Sequence, residues 1–167
     1  MSQILTLENL KASSYLDLAI SLKPLLDLDI IQFDKLSGDF LALLKKSQLL
    51  NPNSYQVYDL LGEYYYNKLP KSQLKLLDKK HKANLSKTIS YFKNSLDINP
   101  FGIKSNFYMS KIQYLIANID LAYKHSSRLN TLCELNLLCS QSLSEEQLKD
   151  SEELNNKLNK IFSSKAR

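Results

Sequence analysis

The sequence predicts an all-α protein in which antiparallel helix pairs stack into a short solenoid. Three observations carry this prediction. The 167 residues include only three glycines, strand-like alternation is hard to find, and apolar residues recur at helical spacing. Two stretches, FLALLKKSQLLNP and SYFKNSLDINP, end in Asn-Pro at Pro52 and Pro100. Because a proline disfavours helical conformation in the residue before it, each ending marks a helix stop. The length suits one domain, residues 1–167, with about seven helices.

The first helix pair is predicted within residues 3–52. Its first helix, Leu5–Leu22, stops before Pro24, because a proline interrupts a continuing helix. The linker PLLDLDIIQF is apolar and is expected to pack on the core. The second helix begins near Asp34 or Ser37 and ends at the first Asn-Pro.

The second pair is predicted within residues 55–100. Its first helix is Tyr55–Lys68, with Asn53 or Ser54 as the N-cap. Its second helix, Lys82–Ile98, has one apolar stripe. That stripe consists of Leu85, Ile89, Phe92 and Leu96.

A third pair and a final helix complete the predicted stack. The pair, residues 103–141, comprises helix Ile103–Lys124, which is apolar on most faces, and helix Ser127–Ser140. The last helix, 144–163, starts with a capping box formed by Ser144 and Gln147. Its narrow apolar stripe and polar outer face suit a helix that caps the end of a stack.

The middle pair resembles a tetratricopeptide repeat, in which an aromatic, Leu-Gly, aromatic helix precedes a small, Phe, small, Pro helix. The matching residues are Tyr58, Leu61, Gly62, Tyr65, Thr88, Phe92, Ser95 and Pro100. In this family the missing side chain at the Leu-Gly position lets the two helices approach closely. The two Asn-Pro endings are 48 residues apart instead of the family's 34, which implies an insertion of fourteen residues. We place it around residues 69–81, as a lengthened loop with a short helical turn at Leu74–Leu77.

The resemblance implies a concave groove that is lined by the first helix of each pair and that holds another protein. The implied groove residues are Gln56, Asp59, Glu63, Tyr66, Asn67, Lys104, Phe107, Lys111 and Tyr114. Several of these aromatics could instead fill the core, and Tyr66 is the groove candidate among the three consecutive tyrosines. The acidic residues Asp59 and Glu63 stand where chaperone-adaptor members of the family carry a carboxylate-binding Lys and Asn. The comparison therefore disfavours a receptor for chaperone tails.

A basic patch accompanies the insertion. Residues 53–100 contain eight lysines against four acidic residues, in a chain of formal net charge +5. The patch residues are Lys71, Lys75, Lys79, Lys80 and Lys82. They could attract phosphates or an acidic partner across the lysine stretch 68–93, or they could simply keep an exposed loop soluble. Arginine is almost absent there and no aromatic interleaves with the lysines of residues 68–87, so nucleic acid is a disfavoured partner.

The sequence predicts no catalytic, cofactor or metal site. It contains no Gly-rich phosphate loop, no Gly-x-Ser-x-Gly and no His-Glu-x-x-His. We interpret His81 and His125 as solvated surface histidines. Cys133 and Cys139 lie six residues apart and are expected to pack in the sixth helix, too few to form a disulfide framework or a metal site.

The expected compartment is a reducing cytoplasm. No basic start followed by an apolar run indicates secretion, and no stretch approaches about 20 uninterrupted apolar residues. Twenty lysines against two arginines, together with abundant Asn and Ile, are typical of an AT-rich genome. We interpret this composition as bacterial.

Two classes of function follow from these observations. The first is a non-enzymatic adaptor that binds a protein or peptide segment in its groove, with a small secretion-type chaperone as its sharper form. The second is a self-assembling scaffold subunit, for instance a homodimer, whose groove is filled by its own N-terminal helix or by a second copy.

Overall fold

The computed structural model describes residues 2–26, 33–70, 79–135 and 139–165. Within these ranges the chain is helical and contains no strand, which confirms the predicted all-α class. The eight described helices are α1 Ser2–Leu26, α2 Phe33–Leu50, α3 Tyr55–Tyr66, α4 Lys79–Ile98, α5 Ile103–Leu115, α6 Ile119–Leu135, α7 Cys139–Ser142 and α8 Glu145–Lys165.

Consecutive helices pack as pairs. The most extensive contacts join α1 to α2, α3 to α4, and α5 to α6, while α2–α3 and α4–α5 contacts join one pair to the next. Helix α8 packs on α6. The packing therefore agrees with three pairs and a final helix, and the short α7 is the element that the sequence analysis did not predict.

Helix α1 continues past the point where it was expected to stop. Pro24 lies inside its last turn, and the helix ends two residues later, at Leu26. Pro24 has no N–H to donate to the carbonyl of Ile20, and only two helical residues follow it. The linker expected to pack on the core lies partly outside the described residues, and the helical turn expected at Leu74–Leu77 lies wholly outside them.

The prediction of one long helix over Ile103–Lys124 is wrong, because the chain turns at residues 116–118 and α6 begins at Ile119. Ala117 has a φ of 63°, and its N–H donates to the carbonyl of Tyr114 at 3.0 Å. The N–H of Asn118 donates to the carbonyl of Gln113 at 2.8 Å. These two bonds form a Schellman motif, which satisfies the last carbonyls of α5. The left-handed residue of this motif is usually glycine. Because alanine occupies the position here, the sequence contains no signal that the helix stops.

Three apolar clusters form the core of the described part of the chain. The first lies between the second and third pairs and includes Phe92, Tyr108 and Ile112. The second joins the first pair to α3 through residues such as Phe40 and Leu61. The third contains Ala122, Leu154 and Leu158, and it attaches α8 to α6.

Gly62 allows α3 and α4 to approach closely. A Cβ atom at this position would lie 2.7–2.8 Å from three ring atoms of Phe92. That ring is fully buried and stacks on Tyr108 at a centroid distance of 4.9 Å, so it has little room to move. The close approach expected at the Leu-Gly pair is therefore present.

Gly62→Ala should destabilise the protein by about 1–3 kcal/mol, because the added methyl group overpacks the α3–α4 contact. Gly38→Ala is the matched control, since a Cβ at exposed Gly38 meets nothing within 4 Å. It should instead stabilise the protein by about 0.5–1 kcal/mol, the gain of alanine over glycine in a helix. Urea unfolding monitored by circular dichroism measures both changes. A stabilising Gly62→Ala would contradict the proposed close contact.

Candidate binding surface on the first helices of the pairs

Glu63 connects the first helices of all three pairs. Lys23 of α1 donates from Nζ to both carboxylate oxygens of Glu63, at 2.8 Å each. Tyr108 of α5 donates its hydroxyl to Oε1 at 3.1 Å, and Nζ of Lys104 lies 4.0 Å from Oε2. The Glu63 side chain is only 12% exposed, so these partners replace the water that an ionised carboxylate requires.

The same hydrogen-bonded chain continues to α8. The hydroxyl of Tyr108 accepts a bond from Nε2 of Gln147 at 3.1 Å. Gln147 also forms the predicted capping box, in which Oε1 accepts from the N–H of Ser144 and the Ser144 hydroxyl accepts from the N–H of Gln147. Burial, and secondarily the neighbouring Glu63 charge, raises the pKa of Tyr108, so its hydroxyl stays protonated and donates. We call Lys23, Glu63, Lys104, Tyr108 and Gln147 the Glu63 network.

Asp59 lies one turn before Glu63 and connects α3 to α4 and α5. Its Oδ1 accepts from the hydroxyl of Ser95 at 2.7 Å and from the hydroxyl of Ser105. Both serines are fully buried. Desolvation raises the pKa of Asp59, while the two hydroxyls and Lys104 partly oppose that shift. Asp59 therefore stabilises the contact between the second and third pairs.

A groove of about 340 Å³ lies between α3, α5 and the start of α8, and we call it the α3–α5–α8 groove. Tyr66 and Asn67 form one wall, and burial raises the pKa of Tyr66. On the opposite side Nζ of Lys111 donates to Oδ2 of Asp150 at 2.6 Å. Leu115, which is 37% exposed, adds apolar surface. The other lining residues are Leu69, Pro70, Phe107, Tyr108, Glu146 and Gln147.

The structure brings together only part of the predicted groove set. Tyr66, Asn67 and Lys111 line the α3–α5–α8 groove, whereas Gln56 is exposed on the first turn of α3. Half-buried Lys104 belongs to the Glu63 network. Tyr114 packs against the third apolar cluster and lines a separate cleft with Lys111 and Leu154.

Three predicted groove residues are not accessible as expected. Asp59, Glu63 and Phe107 are 8%, 9% and 1% exposed. Asp59 and Glu63 are used in contacts between helices, and Phe107 belongs to the first apolar cluster. Their side chains therefore contribute to the arrangement of the helices and are not exposed to a partner.

Several lining residues were missed because they lie on α8 or beyond the end of α3. Gln147 and Asp150 reach the groove from α8, which the sequence analysis treated only as a cap. A signal was present in the capping box, because it places the first turn of α8 at residues 145–148. In a stack of pairs, the final helix occupies the position that the first helix of a further pair would take. Its first turn therefore lies on the surface formed by the first helices of the pairs.

The basic patch is described only in part. Lys79, Lys80 and Lys82 are exposed in the first turn of α4. Lys71 and Lys75 lie outside the described residues. Whether the patch attracts an anionic partner stays a prediction.

His125 is not the solvated histidine that the sequence suggested. It lies within α6, half-buried, and its Nδ1 is 3.0 Å from Oδ1 of Asn106. The Asn106 amide donates from Nδ2 to the carbonyls of Gly102 and Pro100, so Oδ1 accepts and the histidine donates from Nδ1. Desolvation, with smaller contributions from Arg128 and Lys124, lowers the pKa of His125 to about 4. The ring is therefore neutral at pH 7 and acts as a hydrogen-bond donor between α5 and α6.

The two cysteines form a disulfide bond between α6 and α7, which the sequence analysis did not predict. Cys139 is 5% exposed and packs with Cys133 against the first apolar cluster. Spacing alone could not indicate this bond, because residues six apart face each other only when a helix ends between them. Such bonds persist in oxidising compartments and are rare in a reducing cytoplasm. The cytoplasmic compartment that the sequence suggested stays a prediction.

Comparison with protein-family models and with curated proteins finds no match. The tetratricopeptide resemblance therefore rests on the residues quoted above and stays a prediction. Among the described residues no helix is long and apolar enough to cross a membrane. The same part of the chain brings no three His, Cys, Asp or Glu side chains together as a metal site.

Glu63→Gln should lower the free energy of unfolding by about 1–2 kcal/mol, because it leaves the Lys23 ammonium without its anionic partner. A double-mutant cycle with Lys23→Met should give a coupling energy of about 1 kcal/mol. The control is the Lys111–Asp150 pair, whose aspartate side chain is 43% exposed. Its coupling should be smaller and should weaken more in salt. Equal coupling in the two pairs would show that Glu63 has no special role.

Proposed function

We propose that this protein is a non-enzymatic, tetratricopeptide-like binding module that holds a segment of a partner protein in the α3–α5–α8 groove. The observation that carries the proposal is the composition of the groove. Tyr66 and Leu115 offer apolar surface on opposite walls, and Asn67, Glu146 and the Lys111–Asp150 pair surround it. Apolar and aromatic anchors inside a polar rim are typical of protein-binding patches.

The groove also has a firm base. Tyr66 packs on Tyr108 at a centroid distance of 4.8 Å, and Tyr108 is held by Glu63 and Gln147. Because these contacts are made without a partner, binding would need little rearrangement of the groove base. Preorganisation of this kind lowers the entropic cost of association.

Leu115→Arg tests the proposal, because it places a bulky cation at the groove without removing a core residue. It should reduce capture of the natural partner at least about tenfold, the usual cost of losing a hot-spot contact. Leu121→Arg is the matched control, since Leu121 is 39% exposed on α6 and does not line the groove. Quantitative mass spectrometry after affinity capture compares the two variants, and circular dichroism verifies equal helicity. Equal capture of the partner by both variants would contradict binding in the α3–α5–α8 groove.

A self-assembling subunit is the second candidate, and α1 favours it. Leu10, Leu18 and Leu25 are 61%, 54% and 41% exposed, and their spacing places them on one stripe. Ser14 and Ser21 lie between them, and their hydroxyls are bonded to the carbonyls of Leu10 and Leu18. The stripe is therefore apolar on the side of α1 that faces away from Ala12 and Ala19 in the core.

Light scattering distinguishes the two candidates. The binding module is expected to be a monomer at micromolar concentration, with its groove open. The assembly subunit is expected to form a dimer that Leu18→Glu dissociates, because the substitution would bury a charge in the interface. A dimer unaffected by Leu18→Glu would exclude assembly through the leucine stripe.

A further inference from the structure

A second cavity, of about 170 Å³, opens between α1, α2 and α3 on the α1 side of Glu63. Its floor is formed by Leu26, Phe40 and Leu60. Phe40 and Leu60 are 2% and 7% exposed and belong to the second apolar cluster, so the floor is fixed by the core. We call this recess the α1–α2–α3 cavity.

The size of the cavity suits a small apolar group. A leucine- and phenylalanine-lined cavity of about 150 Å³ in another protein accepts a benzene molecule. A volume of about 170 Å³ is therefore sufficient for an aromatic ring or a short branched hydrocarbon. Lys23 and Glu63 of the Glu63 network and Asn67 of the groove also line this cavity.

One cation is held at the rim of the cavity. Nζ of Lys68 donates to the hydroxyl of Tyr64 at 2.7 Å and lies 4.3 Å from the centroid of the tyrosine ring. An ammonium group only donates, so the tyrosine oxygen accepts from it and can give its own proton to Ser37, 3.0 Å away. Lys68 is thereby anchored beside the apolar floor, with Asn67 as a neighbouring amide donor.

The charge of Lys68 is not neutralised by the described residues, which place no carboxylate within 4.0 Å of it. The other lysine of the cavity, Lys23, is paired with Glu63 at 2.8 Å. The cavity therefore combines an apolar floor with one positive charge left for a ligand. A carboxylate is the complementary group, because it can accept from both an ammonium and an amide.

We propose that the α1–α2–α3 cavity binds a small organic acid that carries one carboxylate on an apolar group of about six to nine carbons. The apolar group contacts Leu26, Phe40 and Leu60, and the carboxylate accepts from Lys68 and Asn67. This binding requires no protein partner, and the cavity shares Asn67 with the α3–α5–α8 groove.

Titration of the full, isotope-labelled chain with three probes tests this assignment by nuclear magnetic resonance. 3-Phenylpropionate should give saturable shifts that are centred on the amides of Phe40, Leu60 and Tyr64. 3-Phenylpropan-1-ol, with the same apolar group and no charge, should bind about tenfold more weakly, and acetate should give no saturable shift. Failure of 3-phenylpropionate to bind, or shifts centred elsewhere, would overturn the assignment. Equal affinity of the acid and the alcohol would also overturn it, and would indicate a pocket for an apolar side chain of a partner.

Lys68→Gln tests the role of the cation without disturbing the core. The variant should weaken 3-phenylpropionate about tenfold and leave the alcohol unchanged. Lys87→Gln is the matched control, because Lys87 is likewise exposed and lies over a tyrosine ring, 4.8 Å from the centroid of Tyr65, but does not line the cavity. The control should bind both probes like the unmodified protein. An unchanged affinity of Lys68→Gln for 3-phenylpropionate would refute the carboxylate site.

Discussion

The burial of two carboxylates on α3 is the constraint on which the arrangement of the helices depends. Asp59 and Glu63 lie one turn apart, and both are more than 90% removed from solvent. A buried carboxylate is costly unless hydrogen bonds and charges replace its water. The replacements come from α1, α4 and α5, at sequence distances of 36 to 46 residues. A shift of α5 by one turn along α3 would separate Asp59 from Ser105 and Glu63 from Tyr108, so these bonds define the register of the second and third pairs.

This constraint also decides which charges remain at the surface. The two acidic residues that the sequence predicted for a binding surface are instead buried inside the stack. Glu63 pairs with Lys23, and Asp59 accepts hydrogen bonds from two serines. The two recesses keep charged groups of their own at the surface, namely Lys68 beside the cavity and Glu146 with the Lys111–Asp150 pair at the groove. Lys68 is the cavity lysine that the Glu63 network does not use, because Lys23 is paired with Glu63.

The sequence predicted α2, α3, α4 and α8 well because each depends on a local pattern, whereas the predicted helices Ile103–Lys124 and Ser127–Ser140 differ from the observed α5, α6 and α7. Gly62 and the Ser144–Gln147 capping box act within one contact or one turn, and both were predicted with the correct physical role. The turn at Ala117 was missed because alanine tolerates a helix and gives no sign of a left-handed residue. The burial of Asp59 and the position of His125 depend on residues from other helices, and no local pattern contains that information.

The two ends of the stack differ in the apolar surface that they expose, and this difference makes the two candidate functions compatible with each other. At the C-terminal end α8 supplies leucines to the third cluster and leaves charged residues outside, so that end is closed. At the N-terminal end α1 packs Ala12, Leu16 and Ala19 inward and still exposes three leucines on its other side. A helix that is apolar on both sides has a face left for another element, because stacked pairs bury their faces against neighbours. The groove and the leucine stripe therefore lie toward opposite ends, and a protein that self-associates through α1 would leave the α3–α5–α8 groove open for a partner.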